Sequence, residues 1–208
     1  MQKEAIKNII FDLGVVIINI NTNLTVQAMK SLGFDNFEES YTLFKQTDLF
    51  DKLEKGLISP NEFRNELRKH ISRDVSDEEF DKAWGAMLLD FPKERIQLIQ
   101  KLSEKYNIYL LSNTNEIHYN QYTDDFKKEY DFDFNQLFKK AYYSFKIGLR
   151  KPGIEIYKHV IKDSNIKPLE SLFIDDLKLN LEAAEKLGLK TLWIDPESDD
   201  ITDELIGF

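Results

Sequence analysis

The sequence predicts an α/β fold built on a mainly parallel sheet and interrupted once by an all-helical insertion. Three observations predict it. Five short apolar runs rich in Ile, Leu, Phe and Tyr are bounded by turn or charge signals, the later runs alternate with helical segments, and a long strand-free stretch separates the first run from the second. Strands buried on both faces and alternating with helices call for βαβ crossovers, hence parallel pairing.

The first run, "AIKNIIFD", ends at Asp12. The segment from about 19 to 91 then holds no convincing strand. Its first part, "TNLTVQAMKSLGF", places Leu24, Ala28 and Leu32 on one helical face, and "FEESYTLFKQTDLFDKLEKG" stops at Gly56, a residue suited to a helix end. Two further helices announce themselves in "SPNE" (Ser59 to Glu62) and "SDEE" (Ser76 to Glu79). Each pattern is a capping box, in which the Ser side chain accepts from one exposed amide and the Glu reaches back to another. Pro60 falls at the first helical position, where its missing N–H costs nothing. The remaining strands are expected at "NIYLLS", "KAYYSF", "SLFIDD" and "KTLWID". A helix is expected to start at Pro152, and another to run from about Lys178 to Leu187 and stop at Gly188. The chain therefore divides into a core, residues 1–18 and 92–208, and a helical subdomain, residues 19–91.

Composition narrows the function. A chain of 208 residues, 42% hydrophobic and 31% charged, fills one core plus a small subdomain. The 28 basic and 37 acidic residues leave a net charge of -9, which disfavours a nucleic-acid partner because phosphate backbones require clustered Lys and Arg. With no Cys there is no disulfide, thiolate nucleophile or Cys-ligated zinc, and a reducing cytoplasm is the expected home. "MQKEAIKN" lacks the apolar region of a secretory signal, no apolar run approaches the roughly 20 residues of a membrane helix, and the sequon at Asn23 is idle in a cytoplasmic protein. A monomer or weak dimer acting on a small molecule is expected. No GxSxG, P-loop or GxGxxG is present. His70, His118 and His159 show no metal spacing, although His118 follows "SNTNE". Asp131 and Asp133 lack the Gly and closing Glu of a calcium loop. The aromatic series from Tyr119 to Phe138 reads as packing over the sheet.

The polar residues of the core runs fall at strand ends: Asp12 after the first, Ser112 and Asn113 after the second, Lys151 in "GLRKP" after the third, Asp175 and Asp176 after the fourth. Ligands of open parallel sheets bind outside those ends, so separate segments can deliver these side chains to one crevice. Three carboxylates in one cleft repel unless a cation holds them, and Mg2+ suits an all-oxygen set that must leave room for a phosphate. Lys151 and the donors around Ser112 describe a phosphoryl-binding site, in which Asp12 is the candidate nucleophile. Taken singly, each motif has a plainer reading: a polar strand end before a turn glycine at Asp12, helix caps at Ser112, Asn113, Asp175 and Asp176, a solvated turn at Lys151, an exposed helix residue at Asn180.

Read in order, "FDLGVV", "LLSNTN", "RKPGIEIY" and "FIDDLKLNLEAAEKLGLKTLWI" resemble the four motifs of the haloacid dehalogenase-like hydrolase superfamily. The subgroup resembled is that of alpha-D-glucose-1-phosphate phosphatase and the N-terminal phosphatase domain of soluble epoxide hydrolase. The resemblance implies a Rossmann-like parallel sheet core flanked by helices, with a helical cap inserted after the first strand. By position it implies Asp12 as nucleophile and metal ligand, the Gly14 carbonyl and Asp176 as further Mg2+ ligands, and Ser112 and Asn113 as phosphate binders. Lys151 becomes the charge-stabilising lysine, with Asp175 and Asn180 in support. One departure stands out. Most phosphatases of the superfamily carry a second Asp at the position of Gly14, as general acid to the leaving group; its absence suits an activated leaving group such as a hexose 1-phosphate. The expected function is a Mg2+-dependent phosphatase forming an aspartyl-phosphate. The alternatives are a metal-independent 2-haloacid dehalogenase and a catalytically weak phosphate-binding regulator. Specificity is expected in the cap, where Trp84, Phe44, Phe50 and Met87 are candidates to face the cleft.

Overall fold

The computed structural model describes residues 6–39 and 48–208. Its centre is one five-stranded parallel sheet of β1 (Asn8–Phe11), β2 (Asn107–Ser112), β3 (Lys140–Tyr143), β4 (Ser171–Asp175) and β5 (Lys190–Trp193), in the spatial order β3-β2-β1-β4-β5. The period of two sorts its side chains. Ile9 and Phe11 point, with Leu110 and Ile174, into the cluster that holds Ile96, Ile99 and Phe126. Ile10 points the other way, with Tyr109 and Phe173, onto Ile156, Tyr157 and Leu181. Burial on both faces is why the strands read as unbroken apolar runs, and each fully buried Ile or Phe contributes about 1.5–3 kcal/mol.

Between β1 and β2 the described residues form helices α1 (Thr22–Ser31), α2 (Leu49–Glu54), α3 (Pro60–Arg68) and α4 (Asp77–Trp84), followed by α5 (Lys93–Ser103), which packs against the sheet. Both capping boxes form as the local chemistry requires, and Pro60 opens α3. The cap has its own core of Met29, Phe34, Phe63, Leu67, Phe80 and Trp84, which Ile117 of α6 (Glu116–Tyr130) enters from the sheet side. The two chain passages between sheet and cap pair with each other: Asn21 N–H donates to Met87 O at 2.9 Å, and Leu89 N–H to Asn19 O at 3.0 Å. Below the cap, the fold continues through α7 (Ser144–Ile147), α8 (Ile154–Asp163), α9 (Lys178–Glu185) and α10 (Ile201–Glu204).

Several local expectations are corrected. Pro152 does not open a helix: it follows Lys151 through a cis peptide bond, and α8 begins at Ile154 behind Gly153. Ser144 and Phe145 leave the third strand early to start α7. On α1 the deepest residues are Thr25 and Met29, while Leu24 and Ala28 are half-buried, because Thr25 bonds the end of α4. Phe44 lies outside the described residues. Among the described residues, no helix is long and apolar enough to cross a membrane.

Candidate active site

Asp12 stands one residue past β1, where its N–H still donates to Ile174 O at 2.9 Å, and Asp175 closes the neighbouring β4. Parallel register alone brings these two positions side by side, since Phe11 is paired with Ile174. Between them sits the Lys151 ammonium, 1% exposed, donating to Asp12 Oδ1 at 2.7 Å and Asp175 Oδ2 at 2.6 Å. Burial by itself would drive Lys151 towards neutrality, but the two carboxylates outweigh it and raise its pKa.

The carboxylates differ in how they are used. Asp175 is saturated: besides Lys151, it accepts from Asn180 Nδ2 at 2.9 and 3.1 Å and from Leu177 N–H at 2.8 Å. Asn180 is itself placed by Tyr157, whose hydroxyl donates to its carbonyl at 2.9 Å. Asp12 and Asp176 are under-compensated. Burial, with Asp175 and Asp176 adding repulsion, pushes Asp12 up to about 7 despite the opposing pull of Lys151. Burial and the charge of Asp175 push Asp176 up to about 6. One oxygen from each of Asp12, Asp175 and Asp176 lies within 4.8 Å of the others. Three carboxylates facing one ammonium leave negative charge that a hard divalent cation balances, and the all-oxygen donor set fits Mg2+. The backbone of Asp176 is held by Trp193, whose indole N–H donates to its carbonyl at 2.8 Å.

Gly14 lies in a tight loop after Asp12, and its carbonyl accepts from Val16 N–H at 2.6 Å. That bond spans two residues across Val15, whose φ of 65° makes this the rarer, strained form of γ-turn and puts a β-branched residue in the left-handed region. A clamp holds it. Buried Arg95 of α5 donates from Nη1 to Val15 O at 2.7 Å, and Asp200 takes Nε at 2.9 Å and Nη2 at 2.7 Å. Nothing in the sequence distinguishes Arg95 from a surface helix residue.

The β2 end supplies Ser112, buried to 2% exposure, and the loop after it. Here the structure refines an expectation. The Asn113 side chain is turned to the backbone of Lys151, donating to its carbonyl at 2.9 Å and accepting its N–H at 2.9 Å. Its amide group therefore positions Lys151, and the second N–H of its Nδ2 and its backbone N–H are not engaged by that bracket. Ser144, fully buried, pins the same loop by accepting from Thr114 N–H and donating to Thr114 O, both at 2.9 Å.

Between this loop and the cap lies a cavity of about 220 Å³. Gly14, Ser112, Asn113 and His118 line its sheet side; Thr25, Phe50, Glu54, Trp84 and Met87 line its cap side. Trp84, Phe50 and Met87 thus face the cleft as candidates should. The Trp84 indole is stacked between Phe50 (5.5 Å, 9°) and His118 (5.4 Å, 19°). His118 Nε2 meets Trp84 O at 3.2 Å, and burial drives the imidazole pKa down to about 4. In the sequence, the place of His118 after "SNTNE" is its only pointer to this cavity; Glu54 and Thr25 carry none.

The cap is tied to the sheet next to this cavity. Arg150 reaches Asp51 at 3.2 Å and Glu54 at 2.9 Å on α2. Gly56, with φ of 63°, approaches so closely that a Cβ there would stand 2.2 Å from Phe145 O.

Comparison with known proteins agrees with this architecture. The family model described as haloacid dehalogenase-like hydrolase matches residues 9–194. The chain is 35% identical over 187 residues to a D-ribitol-5-phosphate phosphatase of Bacteroides thetaiotaomicron, covering 89% of this chain and 90% of that protein. A crystal structure of a HAD family enzyme from the same organism, in complex with magnesium and inorganic phosphate, superimposes with a TM-score of 0.88 at 39% identity, covering 93% and 96% of the two chains. A HAD-like family hydrolase from Porphyromonas gingivalis superimposes with a TM-score of 0.87 at 32% identity, over 98% and 99%.

Proposed function

The chain belongs to the haloacid dehalogenase-like hydrolases, and on that premise we propose that it is a Mg2+-dependent phosphatase of small phosphorylated metabolites, working through an aspartyl-phosphate on Asp12. The observation that carries this reading is the convergence of Asp12, Asp175 and Asp176 on one point, with Lys151 bonded to two of them and bracketed by Asn113, which with Gly14 and Ser112 lines the cavity under the cap.

Asp12, Asp176 and the Gly14 carbonyl would hold the metal, which supplies positive charge against the phosphate oxygens and keeps Asp12 ionised. Asp12 attacks phosphorus in line, and the bond to the leaving alkoxide breaks as the P–O bond to Asp12 forms. Lys151, fixed by Asp12, Asp175 and the Asn113 bracket, stabilises the charge on the phosphoryl oxygens. Ser112 and the N–H groups of Asn113 that the Lys151 bracket does not use bind the remaining oxygens, while Thr114 N–H is held by Ser144. Water then attacks the acyl phosphate and returns Asp12 to its carboxylate. Asp175 and Asn180 keep Lys151 and the β4 end in register throughout.

The substrate we favour is a phosphate ester of a polyol or sugar. The named activity of the Bacteroides relative and the mixed lining of the cavity, with Thr25, Ser112, Asn113 and His118 among apolar walls, support it. A hexose 1-phosphate belongs to the same class and would offset the absence of an acid at Gly14. The test is phosphate release from polyol phosphates, hexose 1- and 6-phosphates and nucleotides, with Mg2+ and with chelator, for wild type and Asp12→Asn. Loss of activity in the variant and on chelation is expected. Equal activity in wild type and variant would remove Asp12 as nucleophile, and activity indifferent to chelation would remove the metal.

A further inference from the structure

His118 occupies a position that the phosphoryl chemistry does not use. Asn115 caps α6 by accepting from His118 N–H at 3.0 Å, which fixes the residue in the first turn, one step beyond the phosphate loop. Its ring is buried between the cap and the sheet, lines the cavity and is stacked on Trp84. The contact with Trp84 O settles the tautomer, because a carbonyl only accepts: Nε2 carries the proton, and Nδ1 is left as a lone-pair acceptor. The same carbonyl also accepts from the Thr25 hydroxyl at 2.9 Å, so the ring cannot turn over without breaking a contact that joins α1, α4 and α6. Among the described residues no group donates to Nδ1. A phosphate seated at Ser112 to Thr114 would put the organic part of its ester in the space between that loop and the stacked rings.

We propose that His118 is a specificity residue whose Nδ1 accepts a hydrogen bond from a hydroxyl on the organic part of the phosphorylated substrate, so that the cavity selects hydroxylated over purely alkyl esters. This rests on the phosphatase reading of the same site and adds to it the group that reads the substrate. A neutral acceptor on a buried ring favours such a donor because an ester without one displaces water from Nδ1 and leaves it unmatched. The imidazole stays in its accepting form because burial opposes protonation.

The test compares kcat/KM for a pentitol 5-phosphate with analogues in which one hydroxyl at a time is replaced by hydrogen or by fluorine, using wild type and His118→Phe. Phe keeps an aromatic ring able to stack on Trp84 but has neither the N–H nor an acceptor in place of Nδ1. For wild type, one hydroxyl is expected to matter by about tenfold, and fluorine at that carbon, which cannot donate, is expected to behave as hydrogen does. In His118→Phe the ratio between the hydroxylated ester and its deoxy partner should fall towards one. Should the variant fail to fold, the wild-type series still decides: full rescue by fluorine, or no sensitive hydroxyl, overturns the proposal. A wild-type ratio that survives in His118→Phe overturns it as well, while leaving the phosphatase reading intact. Inertness of wild type towards every phosphate ester would instead overturn that reading, and this inference with it.

Discussion

Replacing Arg95 by Met tests whether the nucleophile loop is held from behind. The substitution keeps the apolar stem and removes the guanidinium, which bonds Val15 O at 2.7 Å and is paired with Asp200 at 2.7 and 2.9 Å. A hydrogen bond from a charged donor to a buried carbonyl contributes about 1.5–3 kcal/mol. The pair with Asp200 is half-buried, so it falls between the roughly 0–1 kcal/mol of a surface pair and the 3–5 kcal/mol of breaking a buried one. Together a loss of about 3–4 kcal/mol is expected, which for a chain of this size lowers Tm by roughly 10 °C. Val15 stores strain at φ of 65°, so freeing its carbonyl should let the turn relax and shift the Gly14 carbonyl. Thermal unfolding measures the first effect; Mg2+ titration of phosphate release measures the second, with half-saturation expected at higher Mg2+. Arg95→Lys, which keeps the charge but only part of the fork, should lie between. A loss below about 1 kcal/mol together with unchanged Mg2+ dependence would refute the clamp.

Three other outcomes follow from the geometry. His118 has a folded pKa lowered to about 4 from 6.5 by burial, so the unfolded chain binds the extra proton first, and its contribution to stability should fall as pH drops from about 6.5 to 4, opposite in sign to those of Asp12 and Asp176, whose raised pKa values favour the folded state as pH falls. The difference in Tm between wild type and His118→Gln isolates that contribution: it should shift against wild type as pH drops through this window, and a difference independent of pH would refute it. Gly56→Ala should cost about 2 kcal/mol or more, because φ of 63° disfavours Ala and its Cβ would meet Phe145 O; a drop in Tm with a raised KM checks it. Arg150→Gln removes the half-exposed ties to Asp51 and Glu54, worth about 0.5–1 kcal/mol each, so KM should rise modestly and lose part of its dependence on salt.

The architecture was legible wherever its cause is local. A capping box needs only four residues, so Ser59 to Glu62 and Ser76 to Glu79 mark their helices without help from the rest of the chain. Strands buried on both faces leave an apolar run with a polar end, so Asp12, Ser112 and Asp175 could be placed at the sheet's carboxyl edge from sequence. Where the cause is distant, the sequence carried no mark. Pro152 has the composition of a helix start, yet the turn that presents Lys151 to Asp12 and Asp175 displaces the helix to Ile154. Asn113 has the chemistry of a phosphate donor, and nothing local shows that its side chain also meets a backbone 38 residues away. Arg95 and His118 owe their surroundings to Val15, Asp200 and Trp84, partners that only the closed sheet and seated cap bring within reach. Sequence by itself determined which residues have the chemistry and at which strand ends they lie. Tertiary structure decided which of them share a cavity, which are spent on holding one another, and which remain to meet a substrate, because hydrogen bonding and desolvation act over a few ångströms of space and take no account of distance along the chain.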